Sequence, residues 1–142
     1  MFVPSPEGHE IKNMTTTKLQ LENSIKGSVI VPKLAVAPSL WKRTVGLLGI
    51  PHLQSGEALL LQPCTGIHTW FMRYSIDVLF LDKRGKVLRT VENLRPFRIA
   101  GPLLRARTVV EMAPGTLKHV SVKPGDILRV VAHPVASSSL QR

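Results

Sequence analysis

A single cysteine, Cys64, excludes an intrachain disulfide and any cysteine-rich metal motif. Long apolar runs are missing too: stretches such as Ala58–Leu61 and Val78–Leu81 are far too short to span a bilayer as a helix. The opening segment, MFVPSPEGHEIKN, lacks the basic start and apolar run of a signal peptide, which sets a cytoplasmic expectation. No glycine-rich phosphate loop, nucleophile elbow or HExxH pair occurs, so the chemistries those motifs serve have no anchor here. Aromatics make up only 5% of the chain, and acids number nine against nineteen lysines and arginines. What remains is an ordinary globular composition: 142 residues, 44% hydrophobic, enough to bury one core without metal or disulfide staples.

The shortage of acids leaves a formal charge of +10, unevenly spread. Between Lys83 and Arg107 lie eight cations (Lys83, Arg84, Lys86, Arg89, Arg95, Arg98, Arg105, Arg107) against one acid, Glu92. Such a field concentrates polyanions or small phosphorylated and carboxylated ligands, or it serves only to keep the surface soluble. Phe97 is the only aromatic of this stretch, so the interleaved rings of a single-strand nucleic-acid binder are missing from it.

Pro and Gly punctuation makes residues 1–14 read as a mobile tail, with Met1 and Met14 both available as start sites. Residues 15–135 read as a single β-rich domain and 136–142 as a polar tail. Strands are expected at Thr17–Leu21, Ser28–Val36 (with an edge or bulge at Pro32), Ala58–Leu61, Ile67–Met72, Ile76–Leu81, Lys86–Val91, Thr108–Met112 and Ile127–His133. Turns are expected at Asp82–Gly85, Pro114-Gly115 and Pro124–Asp126. One short helix is expected within Pro38–Leu48, opened by Ser39 and stopped by Gly49 and Pro51. Many short strands joined by Gly/Pro turns predict a compact, mainly β sandwich or partly open barrel.

Chemistry concentrates in Pro63–Asp82, PCTGIHTWFMRYSIDVLFLD. Cys64 and His68 invite a metal or nucleophile reading. On a regular strand, residues four apart sit about 13 Å apart at roughly 3.3 Å per residue, too far for one zinc ion, so the two side chains meet only if Thr65-Gly66 forms a turn. No second nearby Cys or His completes a ligand set, so no metal and no cofactor is expected. Asp77 interrupts an apolar strand, where a carboxylate is costly unless hydrogen-bonded or paired. Glu111 does the same in VVEM, and Arg43 in the helix segment is a counter-ion for either acid. Alternation puts Trp70 and Met72 on one face, as core or as the wall of an apolar pocket.

The segments LWKRTVGLLG, GEALLL, IHTWFMRYSIDVLFLD, ARTVVEMAPGT and KPGDIL occur in this order. They make the chain resemble the bacterial and archaeal family known as domain of unknown function 192, over about Lys18 to Val131. Phe71-Met72 followed by Ile76-Asp77-Val78 is the distinctive part. The resemblance implies a compact, mainly β fold and no particular activity. Some members of that family are exported, a property the N-terminus here does not carry over.

These features predict a small binding or accessory domain. It would hold an anionic or polar ligand, or a protein segment, at a concave patch of His68, Trp70, Met72 and Asp77 rimmed by arginines, with Arg43, Cys64 and Glu111 as further candidate ligand-binding residues. An enzyme, a hydrolase among the options, using Asp77 or Glu111 with His68 is the alternative. An electrostatic module for nucleic acid or a membrane-associated assembly is the third.

Overall fold

Three runs, EALLL, IDVLFL and TVVEM, carry apolar residues without the alternation of a half-wet strand, the pattern of strands covered on both faces. They form the centre of the largest sheet. The computed structural model describes residues 17–37, 53–70 and 72–134. Its strands are β1 (Thr17–Asn23), β2 (Val29–Val31), β3 (Lys33–Ala37), β4 (Glu57–Leu61), β5 (Ile67–His68), β6 (Ile76–Leu81), β7 (Val87–Leu94), β8 (Ile99–Ala100), β9 (Thr108–Met112) and β10 (Leu128–Pro134). A single turn of helix, α1 (Thr116–His119), lies between β9 and β10.

A five-stranded sheet runs β3-β4-β9-β6-β7, with β3 parallel to β4 and the other pairs antiparallel. A three-stranded sheet, β10-β1-β2, packs on one of its faces, and the β5-β8 ribbon lies on the other. The period of two sorts the core. Leu59, Leu61, Ile76, Val78, Phe80 and Val109 face the ribbon, together with Cys64, Met72 and Ala100. Leu60, Leu79, Leu81, Val110 and Met112 meet Leu21, Val31 and Leu128 of the smaller sheet, and Leu117 of α1. Every residue of β6 and β9 is buried. Among the described residues the fold is thus a mainly β sandwich with one short helix and no sheet closed into a barrel.

Three local expectations need correction. The run Ser28–Val36 is two strands, because Pro32 lacks an N–H and hands the chain from the edge of the smaller sheet to the edge of the larger one. The strand expected over Ile67–Met72 ends at His68, where Thr69 takes the chain into a turn, so Trp70 and Met72 do not share a face. The helix α1 falls inside the stretch expected to be β-rich, just past the expected Pro114-Gly115 turn, seeded by Gly115 at φ 90° and the Thr116 hydroxyl, which donates to the Ala113 carbonyl at 2.7 Å. The helix expected within Pro38–Leu48 lies outside the described residues, as do Arg43 and Phe71.

The turn at Asp82–Gly85 forms as expected. Asp82 Oδ1 accepts the backbone N–H groups of Arg84 and Lys86 at 2.8 and 2.9 Å. Gly85, at φ 85°, could carry no side chain, because a Cβ there would lie 2.2 Å from the Leu128 carbonyl oxygen.

Candidate functional site

The two buried carboxylates lie on opposite faces of the five-stranded sheet. Asp77, 1% exposed, faces the smaller sheet and α1. Its Oδ1 accepts the Asn93 N–H at 2.9 Å and its Oδ2 the Leu117 N–H at 2.8 Å. Asn93 sits at φ 53° where β7 sets two residues against one of β6, between the pairs Ile76–Leu94 and Val78–Val91. One carboxylate therefore fastens both a bulge and the helical turn, its donors among the described residues being backbone amides.

Glu111 points the other way, flanked by Leu59 of β4 and Val78 of β6. It is 4% exposed, and its Oε2 has no hydrogen-bond partner among the described residues. Burial pushes its carboxyl up to about 7. Tyr74, packed against the same cluster, has its phenol raised by burial and then by the Glu111 charge, with a Leu53 backbone hydrogen bond pulling the other way. Leu53, Tyr74, Ala113 and Pro114 line a cavity of about 300 Å³ beside it.

The remaining candidates fall in two environments. Cys64 is buried, its thiol donating to the Gly66 carbonyl at 3.1 Å, and Met72 belongs to the same core. His68 and Trp70 are exposed on and just beyond the outer ribbon, ring centroids 6.0 Å apart, with the Trp70 backbone N–H donating to His68 Nδ1 at 3.3 Å. The concave patch expected of His68, Trp70, Met72 and Asp77 is thus not assembled: two are on the surface, and two are buried on opposite sides of the sheet. Among the described residues, no three His, Cys, Asp or Glu side chains group to hold a metal ion.

Phe97 joins the surface pair, its ring 6.0 Å from that of Trp70. It stands at φ 60°, a conformation that costs a bulky residue about 1–2 kcal/mol. Thr69, fully buried, holds that turn. Its hydroxyl donates to the Arg95 carbonyl at 2.6 Å and accepts the Arg98 N–H at 2.9 Å, and its carbonyl accepts the Phe97 N–H at 2.8 Å.

All eight cations of the basic stretch are exposed. Among the described residues the one ion pair is Arg129–Glu22 at 3.6 Å, so none of the eight has a carboxylate partner there. Lys83, Arg105 and Arg107, with Asp82, line a cavity of about 350 Å³. Backbone pairing brings them together: the Arg107 N–H donates to Leu81 and the Arg107 carbonyl accepts from Cys64. Partial desolvation raises the Asp82 carboxyl, but the Lys86 and Arg84 amides and the charges of those residues outweigh it, leaving it below the ordinary carboxylate value.

The model of the DUF192 family, "Uncharacterized ACR", matches residues 21–130. The chain belongs to this family. A UPF0127 protein of Thermococcus sibiricus is 31% identical over 110 residues, covering 75% of this chain and 71% of that one. A second, from Pyrococcus horikoshii, is 40% identical over 100 residues, covering 68% and 86%. Two crystal structures share the fold. One is of a candidate transcription regulator from Sinorhizobium meliloti, with TM-score 0.69 and 21% identity over 80% of this chain and 92% of that one. The other is a protein of unknown function from Novosphingobium aromaticivorans, with TM-score 0.63 and 19% identity over 78% and 82%. In this DUF192 chain the Asp77 of the distinctive IDVLFLD segment is bonded to two backbone amides.

Sequence reasoning missed Thr69, Tyr74, Phe97 and the Lys83–Arg105–Arg107 cavity. The charge run located the last of these in the chain, but only the pairing of residues 81 and 107 shows which cations meet. Thr69 carries no sequence signal beyond its place beside Trp70.

Proposed function

We propose that this domain binds a compact anionic ligand in the cavity of Lys83, Arg105 and Arg107. The observation that carries the reading is three cations around about 350 Å³, with no carboxylate partner among the described residues. Their one acidic neighbour, Asp82, has an oxygen already committed to two backbone amides. Two guanidinium groups offer bidentate geometry to phosphate or carboxylate, and the lysine adds a point charge. The small volume favours a ligand of phosphate to citrate size over a bulky one. Isothermal titration with inorganic pyrophosphate and with citrate tests this. Binding that disappears in an Arg105→Ala/Arg107→Ala variant supports it; heat unchanged by that variant, or no binding of either anion, overturns it.

A second reading, an acid–base enzyme, rests on Glu111. A carboxyl near neutrality, whose charge acts on Tyr74 in the wall of an apolar cavity, is suited to proton transfer at physiological pH. His68 lies on the outer ribbon and Asp77 on the far face, so Tyr74 is the titratable group nearest to this role. A screen of chromogenic esters and phosphoesters tests it. Hydrolysis with an inflection near pH 7, abolished in Glu111→Gln, supports the reading; activity unchanged by the substitution removes it.

A further inference from the structure

We infer that the outer face of the β5-β8 ribbon is a docking surface for an anionic phospholipid membrane. The inference is separate from what fills the basic cavity, because its apolar side chains do not line that cavity; Arg105 alone borders both.

His68 and Ile99 are paired across the ribbon and both are exposed, whereas their strand neighbours Ile67 and Ala100 turn toward the core. Beyond His68 the same outer surface continues to Trp70 and Phe97, in ring contact. At the other end, where the Leu103 N–H donates to the Thr65 carbonyl, the loop presents Leu104. The exposures are large: Trp70 40%, Phe97 53%, Ile99 64% and Leu104 98%. Isolated apolar residues on a surface need no explanation, but four of the eight large exposed ones among the described residues, on one short ribbon and its flanking turns, do.

The patch is built rather than incidental. The turn that displays Phe97 is held in a left-handed conformation by the buried hydroxyl and carbonyl of Thr69. Cations alternate with the apolar side chains along the chain, in Arg95-Pro96-Phe97-Arg98-Ile99 and Leu103-Leu104-Arg105, and all three arginines are exposed. Aromatic and aliphatic side chains at acyl-chain depth, with guanidinium groups beside them at the level of phosphate headgroups, are what an interfacial surface requires.

Two other occupants fit less well. Trp70 has His68 and Phe97 tilted against it, each at 6.0 Å, so its ring is engaged by neighbours, and Ile99 and Leu104 offer nothing for a base to stack on. A second copy would bring another chain of charge +10 against the same arginines.

Co-sedimentation with vesicles of equal parts phosphatidylserine and phosphatidylcholine, and with phosphatidylcholine alone, tests the inference. The full chain should pellet strongly with the mixed vesicles and only weakly with the neutral ones. The Ile99→Ser/Leu104→Ser variant, altered only at exposed positions, should partition at least about tenfold more weakly. In a Trp41→Phe background, tryptophan emission should shift to the blue on binding, since Trp70 enters an apolar medium. Equal pelleting of variant and parent overturns the inference. So does failure to bind the mixed vesicles, whether the chain instead binds a single-stranded oligonucleotide or forms a dimer that the same substitutions dissolve. Binding that is lost in Arg105→Ala/Arg107→Ala but untouched by the serine variant would reduce the membrane to a source of headgroup anion for the cavity, and equally overturns the ribbon's role.

Discussion

Each buried acid here answers a different question about its strand. Asp77 satisfies two amides that the sheet cannot, one at a bulge in β7 and one at α1. Removing it strands both donors. Asp77→Ala should therefore cost on the order of 1–3 kcal/mol in urea melts, and Asp77→Asn less, since the amide oxygen still accepts from one N–H. A midpoint equal to wild type would show the carboxylate to be dispensable for folding. Glu111 does the reverse. Its folded carboxyl titrates near 7 against an ordinary 4.5, so the native state binds the proton more tightly than the unfolded chain. Stability from this group is fully present below about pH 4.5 and is lost as pH rises to 7, a loss of about 3 kcal/mol. Glu111→Gln should match wild type near pH 4, exceed it by up to about 3 kcal/mol at pH 8, and flatten the profile between. Thermal melts across that range check it; a variant that follows the wild-type slope would place the titration elsewhere.

At the scale of elements, the ribbon turn depends on one hydroxyl. Thr69→Val keeps the shape of the side chain but leaves the Arg95 carbonyl and the Arg98 N–H without it. We expect a loss of about 1–2 kcal/mol, with faster hydrogen exchange confined to the amides of Phe97 and Arg98, and recovery in Thr69→Ser. Uniform exchange across the chain would instead signal a global weakening. The same turn shows where sequence legibility stopped. β6 and β9 were readable to the residue because short, β-rich and mostly apolar runs between turn signals have few alternatives, even with an acid inside each. Pro32 and the Asp82–Gly85 turn were readable because their backbone chemistry is local. Thr69 was not, since its partners lie more than twenty-five residues away and nothing local distinguishes a hub from a solvated threonine. The candidate site shared that limit. Sequence spacing identified Asp77 and Glu111 as the costly residues, but the faces they take depend on the pairing of β6 with β9.

For the molecule as a whole, charge and apolar surface are separable influences. A chain of formal charge +10, with eight exposed cations between Lys83 and Arg107, attracts any polyanion by releasing its counterions. That attraction carries no sequence information, because backbone phosphates are the same everywhere. Association with nucleic acid should therefore be equal for two oligonucleotides of unrelated sequence and should fall linearly on a log–log plot against salt. Fluorescence anisotropy titrations over a series of salt concentrations supply both readouts. Replacing Lys83, Arg105 and Arg107 by alanine should lower the slope by up to about three, in proportion to the phosphate contacts removed. A complex that ignores salt, or that prefers one sequence strongly, would mean that something other than this basic surface makes the contact. The membrane surface behaves differently under the same treatment. Its electrostatic part is screened alongside, within a Debye length of about 8 Å at physiological salt, while the contribution of Ile99, Leu104, Trp70 and Phe97 persists. Salt titration of vesicle binding should accordingly level off at a residual affinity that oligonucleotide binding does not retain.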